Sequence, residues 1–222
     1  MAQLETIDLA LPADTEDLRK LRIGTVAYLS GRIFTAREGA YKHAIEEGAG
    51  MPAGRDALGL ANFHCSPAAS INPDGSYTVG AVTATASFRF ALWLDGWFKL
   101  SGCNVIIGKG GMTSEVYRKF FVPHGAIYLT TVGYGTGALL GRGIKRVVGV
   151  YWLEELGLAQ AVWVLDVEKF GPLLVESDLA GNSLFERENA KIAPGLAKLY
   201  AGTQPATLRR YGETDDKTKE VI

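Results

Sequence analysis

The sequence predicts one mixed α/β domain, because short β-branched runs alternate with helix-forming stretches and glycine- and proline-rich turns separate them. No internal repeat or low-complexity block interrupts the series. Length agrees, since 222 residues hold one sizeable domain, which at this size buries roughly 70% of its unfolded surface and needs no disulfide staple.

Residues 1–17 are acidic and weakly patterned, and read as an arm or a first edge strand. Arg22 to Leu29 alternates and is β-branched, so it predicts a strand, followed by a turn at Ser30-Gly31 and a second short strand from Arg32 to Thr35. Ala36 to Glu47 carries helix formers and ends at Gly48, as a helix should. A short apolar strand is expected around Ala61 to His64, and turns from Ser66 to Ser76, where Pro67, Pro73 and Asp74-Gly75 fall. Tyr77 to Ser87 predicts a strand, Ala91 to Leu100 a helix, and Val105 to Ile107 a buried strand. A helix near Ser114 to Phe121 follows. Further strands are expected at Ile127–Thr131, Val147–Trp152, Ala161–Val167 and Leu173–Ser177, then a helix from Glu186 to Tyr200 interrupted at Pro194. From about Gly202 the chain is polar, which predicts a tail over 202–222.

Composition narrows the function. The chain is 47% hydrophobic and 21% charged with net charge −1, and it has no basic stripe for nucleic acid. The partner is therefore a small molecule or another protein. Cys65 and Cys103 form no CxxC pair and no disulfide framework, and the start of the chain lacks a basic n-region and apolar core. The longest uncharged stretch, Gly125 to Gly141, is rich in Gly and Thr and falls short of the ~20 apolar residues of a membrane span. These features predict a reduced, cytoplasmic protein with no membrane partner.

Neither His43, His64 and His124 nor the cysteines show metal-ligand spacing, and no nucleotide or acyl-transfer motif is complete. Gly108-Lys109-Gly110-Gly111 ends a buried strand. Glycines there let backbone amides approach a ligand, and a lysine in a dry loop requires an anionic partner. A tight turn with a solvated lysine fits the same residues. Thr83, Thr85, Ser87 and Arg89, at every second position, would share one strand face. Hydroxyls leading to a guanidinium suit a carboxylate site, which arginine grips bidentately; a half-exposed sheet face reads the same way. Arg37 opens the first long helix, where the dipole favours anions.

YLSGRIFTAREGAYKHA, TATASFRF, NVIIGKGGM, GVYWLEELG and AVWVLDVEKFGPLLVESDLAGNSL are similar, in order and spacing, to the beta subunits of class I fumarases and L-tartrate dehydratases. The likeness runs from about residue 18 to about 190. It implies a swivelling β/β/α domain, here assigned to 18–201 between the arm and the tail. It also implies a hydro-lyase whose four-iron, four-sulfur cluster is carried by a partner alpha subunit, this chain supplying no metal ligand. By the resemblance Thr85 is the proton-transfer group, while Arg37, Arg89 and Lys109 bind the carboxylates of a small dicarboxylate, of the fumarate/malate or L-tartrate/oxaloacetate type. The assembly expected is a hetero-oligomer or a beta–beta dimer.

The sequence also departs from the family pattern. Thr83-Ala84 stands for Gly-Pro, Ala86 for a second threonine, and Phe90 for methionine. Glu38 stands for aspartate, and Tyr41 and Ala180 for histidines. These changes leave open a branched or larger diacid such as mesaconate. A non-catalytic protein that merely binds an organic acid is the alternative from another class.

Overall fold

A computed structural model describes residues 4–133 and 135–202. Its strands are β1 (Thr6–Ala10), β2 (Val26–Thr35), β3 (Ala61–Phe63), β4 (Cys65–Ile71), β5 (Tyr77–Ala84), β6 (Val105–Gly108), β7 (Ile127–Thr131), β8 (Ile144–Tyr151) and β9 (Val162–Ser177). The helices are α1 (Thr15–Arg19), α2 (Glu38–Ile45), α3 (Arg55–Leu58), α4 (Leu94–Ser101), α5 (Ser114–Val116), α6 (Gly137–Arg142), α7 (Leu153–Leu156) and α8 (Leu184–Tyr200). The chain divides into a unit of residues 1–187 and a second of 188–222, of which the described part is the rest of α8 and residues 201–202. Of the tail expected at 202–222, only Gly202 lies among the described residues.

Seven strands bond in the order β1-β2-β3-β6-β7-β9-β8, and β2 also pairs with β9, which closes β2, β3, β6, β7 and β9 into a ring. β1, β2, β3, β6 and β7 run parallel, and β9 runs antiparallel to β2, β7 and β8. Strands in such a ring are covered on both faces, which is why VII and IYL read as unbroken apolar runs. Alternate residues go to two separate cores. Val105, Ile107, Ile127, Leu129, Trp163 and Leu165 belong to one, and Ile106, Tyr128, Val162 and Val164 pack with Trp97, Phe98, Tyr117 and Phe121 in the other. The mixed α/β fold expected from the sequence is thus present, and β4 and β5 form a separate antiparallel hairpin.

Several boundaries differ from those expected. Ser30-Gly31 is no turn, because β2 runs through it as one strand whose register against β9 shifts between Leu29 and Gly31. Gly31 takes φ +131, and a Cβ there would stand 2.4 Å from the Leu11 carbonyl oxygen. The two strands expected at 161–167 and 173–177 are one 16-residue strand, which passes Lys169 at φ 49 and a cis Gly171-Pro172 bond. Cys65 to Ile71 is a strand and not a series of turns. Pro67 is tolerated because the hairpin has free edges.

The segment 1–17 contributes β1, parallel to β2, and begins α1, whose Asp14 carboxylate caps the Asp17 N–H at 2.9 Å. Elsewhere α6 packs against β5. A Cβ on Gly141 would come 1.7 Å from the carbonyl oxygen of Gly80, a backbone atom that cannot rotate away. Gly141→Ala is therefore expected to destabilise the chain by about 1–3 kcal/mol, read as a lowered urea midpoint at constant slope. An unchanged midpoint would show that α6 does not approach β5 so closely.

Candidate functional site

The parallel strands β2, β3, β6 and β7 all end on one side of the sheet, the edge where open α/β sheets place ligands. Arg37, Thr85 and Lys109 each lie just past one of those ends or join it through the backbone, while Arg89 sits in the turn that follows Thr85. The Ala36 N–H donates to the Phe63 carbonyl at 3.1 Å and sets Arg37 beside the end of β3. The Thr85 N–H donates to the His64 carbonyl at 2.6 Å, and the Lys109 N–H donates to the Thr85 carbonyl at 3.1 Å. Thr85 is thereby wedged between the ends of β3 and β6, in backbone contact with Lys109.

The expected row on one strand face does not form. β5 stops at Ala84, Ala86 bridges to Lys109, and Ser87 opens a 3-10 turn that runs to Trp93. Thr85 and Ser87 are buried while Thr83 and Arg89 are exposed. The cause is a change of partner, since the chain leaves the β4 hairpin to bond with His64 and Lys109. The Thr85 hydroxyl makes no hydrogen bond among the described residues and is not sealed from water.

Arg37 precedes α2, and one of its terminal nitrogens donates to the Ala159 carbonyl at 3.4 Å. Its Nε is buried with no partner among the described residues. A buried donor left in that state costs free energy until an acceptor arrives, and a carboxylate is the acceptor arginine fits best. The next residue, Glu38, pairs with Lys42 at 2.8 Å. That hydrogen bond, followed in effect by the charges of Lys42, Arg89 and Arg37, holds the Glu38 carboxyl below its usual range. Arg37 also acts on the Cys65 thiol, whose residue pairs with Ala84 beside Thr85.

A cavity of about 290 Å3 opens past β6 and β7, lined by Lys109, Gly110, Thr130, Thr131, Gly133 and Phe185 among others. A smaller one of about 30 Å3 adjoins Thr83, Ala84 and Lys109. A larger cavity, about 670 Å3, lies instead at the starts of β3 and β6, near Leu60 and Gly102. Its Arg32 is already paired with Asp166 at 2.9 Å, so size does not make it the better site.

Sequence patterns did not reveal two supports of the glycine loop. Glu176 is buried beneath it, and a Cβ on Gly111 would stand 2.9 Å from the carboxyl carbon. Burial pushes the Glu176 carboxyl above its usual range, and the Ser183 hydroxyl donates to it at 2.6 Å. Gly108 is required for a similar reason: a Cβ there would fall 1.8 Å from Ser87 Oγ and 2.5 Å from the Tyr128 hydroxyl. Both contacts join residues distant in sequence, so no local pattern announces them.

Among the departures from the family pattern, Tyr41 and Phe90 are fully buried. The Tyr41 ring stacks on Trp97 at 4.0 Å and on Phe90 at 5.4 Å. Among the described residues no group of three or more His, Cys, Asp or Glu is placed to hold a metal ion. Both thiols are buried, and burial pushes Cys65 up and Cys103 up to about 12. Such thiols are poor metal donors. No helix among the described residues is long and apolar enough to cross a membrane.

Comparison with known proteins gives a consistent picture. The sequence-family model described as Fumarase C-terminus matches residues 1–188. A Methanocaldococcus jannaschii protein, named provisionally as an L(+)-tartrate dehydratase subunit beta, is 37% identical over 189 residues, covering 83% of this chain and 93% of that protein. The L(+)-tartrate dehydratase subunit beta of Escherichia coli is 33% identical over 187 residues, 83% of this chain and 88% of its own. A Geobacillus stearothermophilus protein, named provisionally as a class I fumarate hydratase, is 31% identical over 185 residues, only 34% of its length.

Proposed function

The chain belongs to the fumarase C-terminus family, and from that premise we propose how its site works within a hydro-lyase. The protein is a hydro-lyase beta subunit, and its relatives of similar length carry that subunit's name. A partner alpha subunit completes the enzyme. The iron–sulfur cluster is assigned to that partner, because the donors among the described residues do not suit one. A reducing, cytoplasmic setting accords with two free buried thiols.

The observation that carries the reading is the buried, unpartnered Nε of Arg37 at the strand end where Thr85 and Lys109 meet. Arg37, Arg89 and Lys109 hold the two carboxylates of a four-carbon diacid, which fixes the carbon bearing the mobile hydrogen over Thr85. Thr85, as its alkoxide, takes that proton. The C–H pair becomes the new C=C bond as the neighbouring C–O bond breaks and hydroxide departs. A threonine hydroxyl is a weak base, and the cations of Arg89 and Lys109 lower the cost of its ionisation.

Phe90, Trp93 and Trp97 lie in the core behind the turn and Ala84 lies in the other core, so these departures serve packing and do not widen the pocket. Fumarate, malate or tartrate is thus favoured over mesaconate. In the assembled two-subunit enzyme, kcat/KM should favour fumarate or L-tartrate over mesaconate by ~10-fold or more. Mesaconate turning over best would overturn the assignment, and no turnover of any hydroxy acid would favour the binding protein instead.

A further inference from the structure

Behind the Thr85–Arg89 turn runs a line of buried polar side chains that the proposed reaction does not use. The Tyr128 hydroxyl lies 2.8 Å from Ser87 Oγ, and Ser87 Oγ lies 2.8 Å from His64 Nδ1. His64 Nε2 is 2.7 Å from the Tyr41 hydroxyl, which is 2.9 Å from Asn62 Oδ1. The Asn62 amide nitrogen ends the line 3.4 Å from the Phe34 carbonyl. Asn62, His64, Ser87, Tyr41 and Tyr128 are all buried.

Satisfying these groups fixes every proton. A carbonyl only accepts, so the Asn62 nitrogen faces Phe34 and its Oδ1 must find a donor. Tyr41 is the donor at hand, and its single proton goes there. The Tyr41 oxygen then accepts from His64 Nε2–H, which leaves His64 Nδ1 bare and able to accept from Ser87. Ser87 Oγ in turn accepts from Tyr128. In the reverse order Ser87 would donate to the Thr85 carbonyl at 3.5 Å, and Asn62 Oδ1 would be buried without a donor, an outcome native interiors avoid. Burial also keeps the imidazole uncharged, with its pKa lowered to about 3.

The line ends on the site itself. The Ser87 N–H donates to the Lys109 carbonyl at 3.4 Å, and the Lys109 N–H donates to the Thr85 carbonyl at 3.1 Å. We infer that His64 is a positioning residue, which in its Nε2–H tautomer accepts the Ser87 hydroxyl proton and locks the turn bearing Thr85 and Arg89 against the Lys109 loop. The inference rests on the site reading given above.

Only three histidines occur, His43, His64 and His124, so NMR of the full chain with nitrogen-labelled histidine reads the tautomer directly. His64 should carry its proton on Nε2 and leave Nδ1 bare. In Ser87→Ala, Nδ1 loses its hydrogen-bond donor while the Tyr41–Asn62 end still holds the proton on Nε2, so the tautomer should persist and the bare Nδ1 resonance should shift. The same variant in the assembled enzyme should lose ~10-fold or more in kcat with KM within about threefold, the split expected when a proton-transfer group is displaced and carboxylate ligands are not. Ser87→Cys, of similar size with a weak S–H donor, should recover part of kcat. A proton on His64 Nδ1 in the unmodified chain overturns the inferred order, and an unchanged kcat in Ser87→Ala overturns the positioning role. Thr85→Ala, assayed alongside, separates the two failures. If that variant also keeps its turnover, the site reading falls and the positioning role with it, while the tautomer measurement alone judges the order of the line.

Discussion

Expressed without its partner, the full chain will bind no stoichiometric iron and will turn over neither fumarate nor L-tartrate. The reason is the placement of its two thiols. Cys65 lies in the core inside the ring and Cys103 in the core on the other face of the sheet, so one cluster cannot reach both. Burial keeps both thiols protonated at neutral pH, and a ligand must be a thiolate. Among the described residues no group of histidines and carboxylates offers a substitute. Anaerobic incubation with iron and sulfide, followed by counting both on the desalted chain, checks the first half, and an assay before and after adding the alpha subunit checks the second. Stoichiometric cluster on the isolated chain, or turnover by it, would refute the division of labour between subunits.

Much of the fold was legible where burial and local pattern agree. Val105 to Gly108 is apolar throughout because both of its faces are covered, and the Gly108–Gly111 loop that follows declares a close backbone approach. α2 was legible from its helix formers and from Gly48. What stayed hidden depends on distant partners. β4 has serine, asparagine and proline nearby, and only its pairing with β5 makes it a strand. β2 and β9 each read as two pieces, because bulges and unusual backbone angles at Gly31 and Lys169 break the period that alternation detects.

The site shows the same division. Thr85, Arg89 and Lys109 were proposed from motifs, yet the strand face expected to carry Thr83, Thr85, Ser87 and Arg89 does not form. Backbone bonds from His64 and Lys109 bring Thr85 into place instead. Tyr41, His64, Ser87 and Tyr128 span four elements, so only the folded chain reveals that they form one line. Tyr41, which looked like a change in the pocket, fills the core.

Replacing Thr85 by alanine should lower kcat of the assembled enzyme by ~10²-fold or more and change KM little, a loss of about 2.7 kcal/mol of transition-state stabilisation. Two features make the experiment clean. The hydroxyl has no hydrogen-bond partner among the described residues, so its removal orphans nothing. The deleted methyl is small, worth about 1 kcal/mol of burial, so the variant should stay folded, with a far-UV spectrum and melting temperature close to the parent. Arg89→Ala and Lys109→Ala supply the contrast. Each removes a cation from a carboxylate and should raise KM as well as lower kcat, because those contacts form in the bound substrate and persist in the transition state. Thr85→Ser, which keeps the hydroxyl and loses only the methyl, should retain most of the activity. If Thr85→Ala turns over near the parental rate while Arg89→Ala and Lys109→Ala raise KM, the carboxylate clamp stands and the proton is taken by another group. If all three retain parental kinetics, the reaction does not take place at these strand ends.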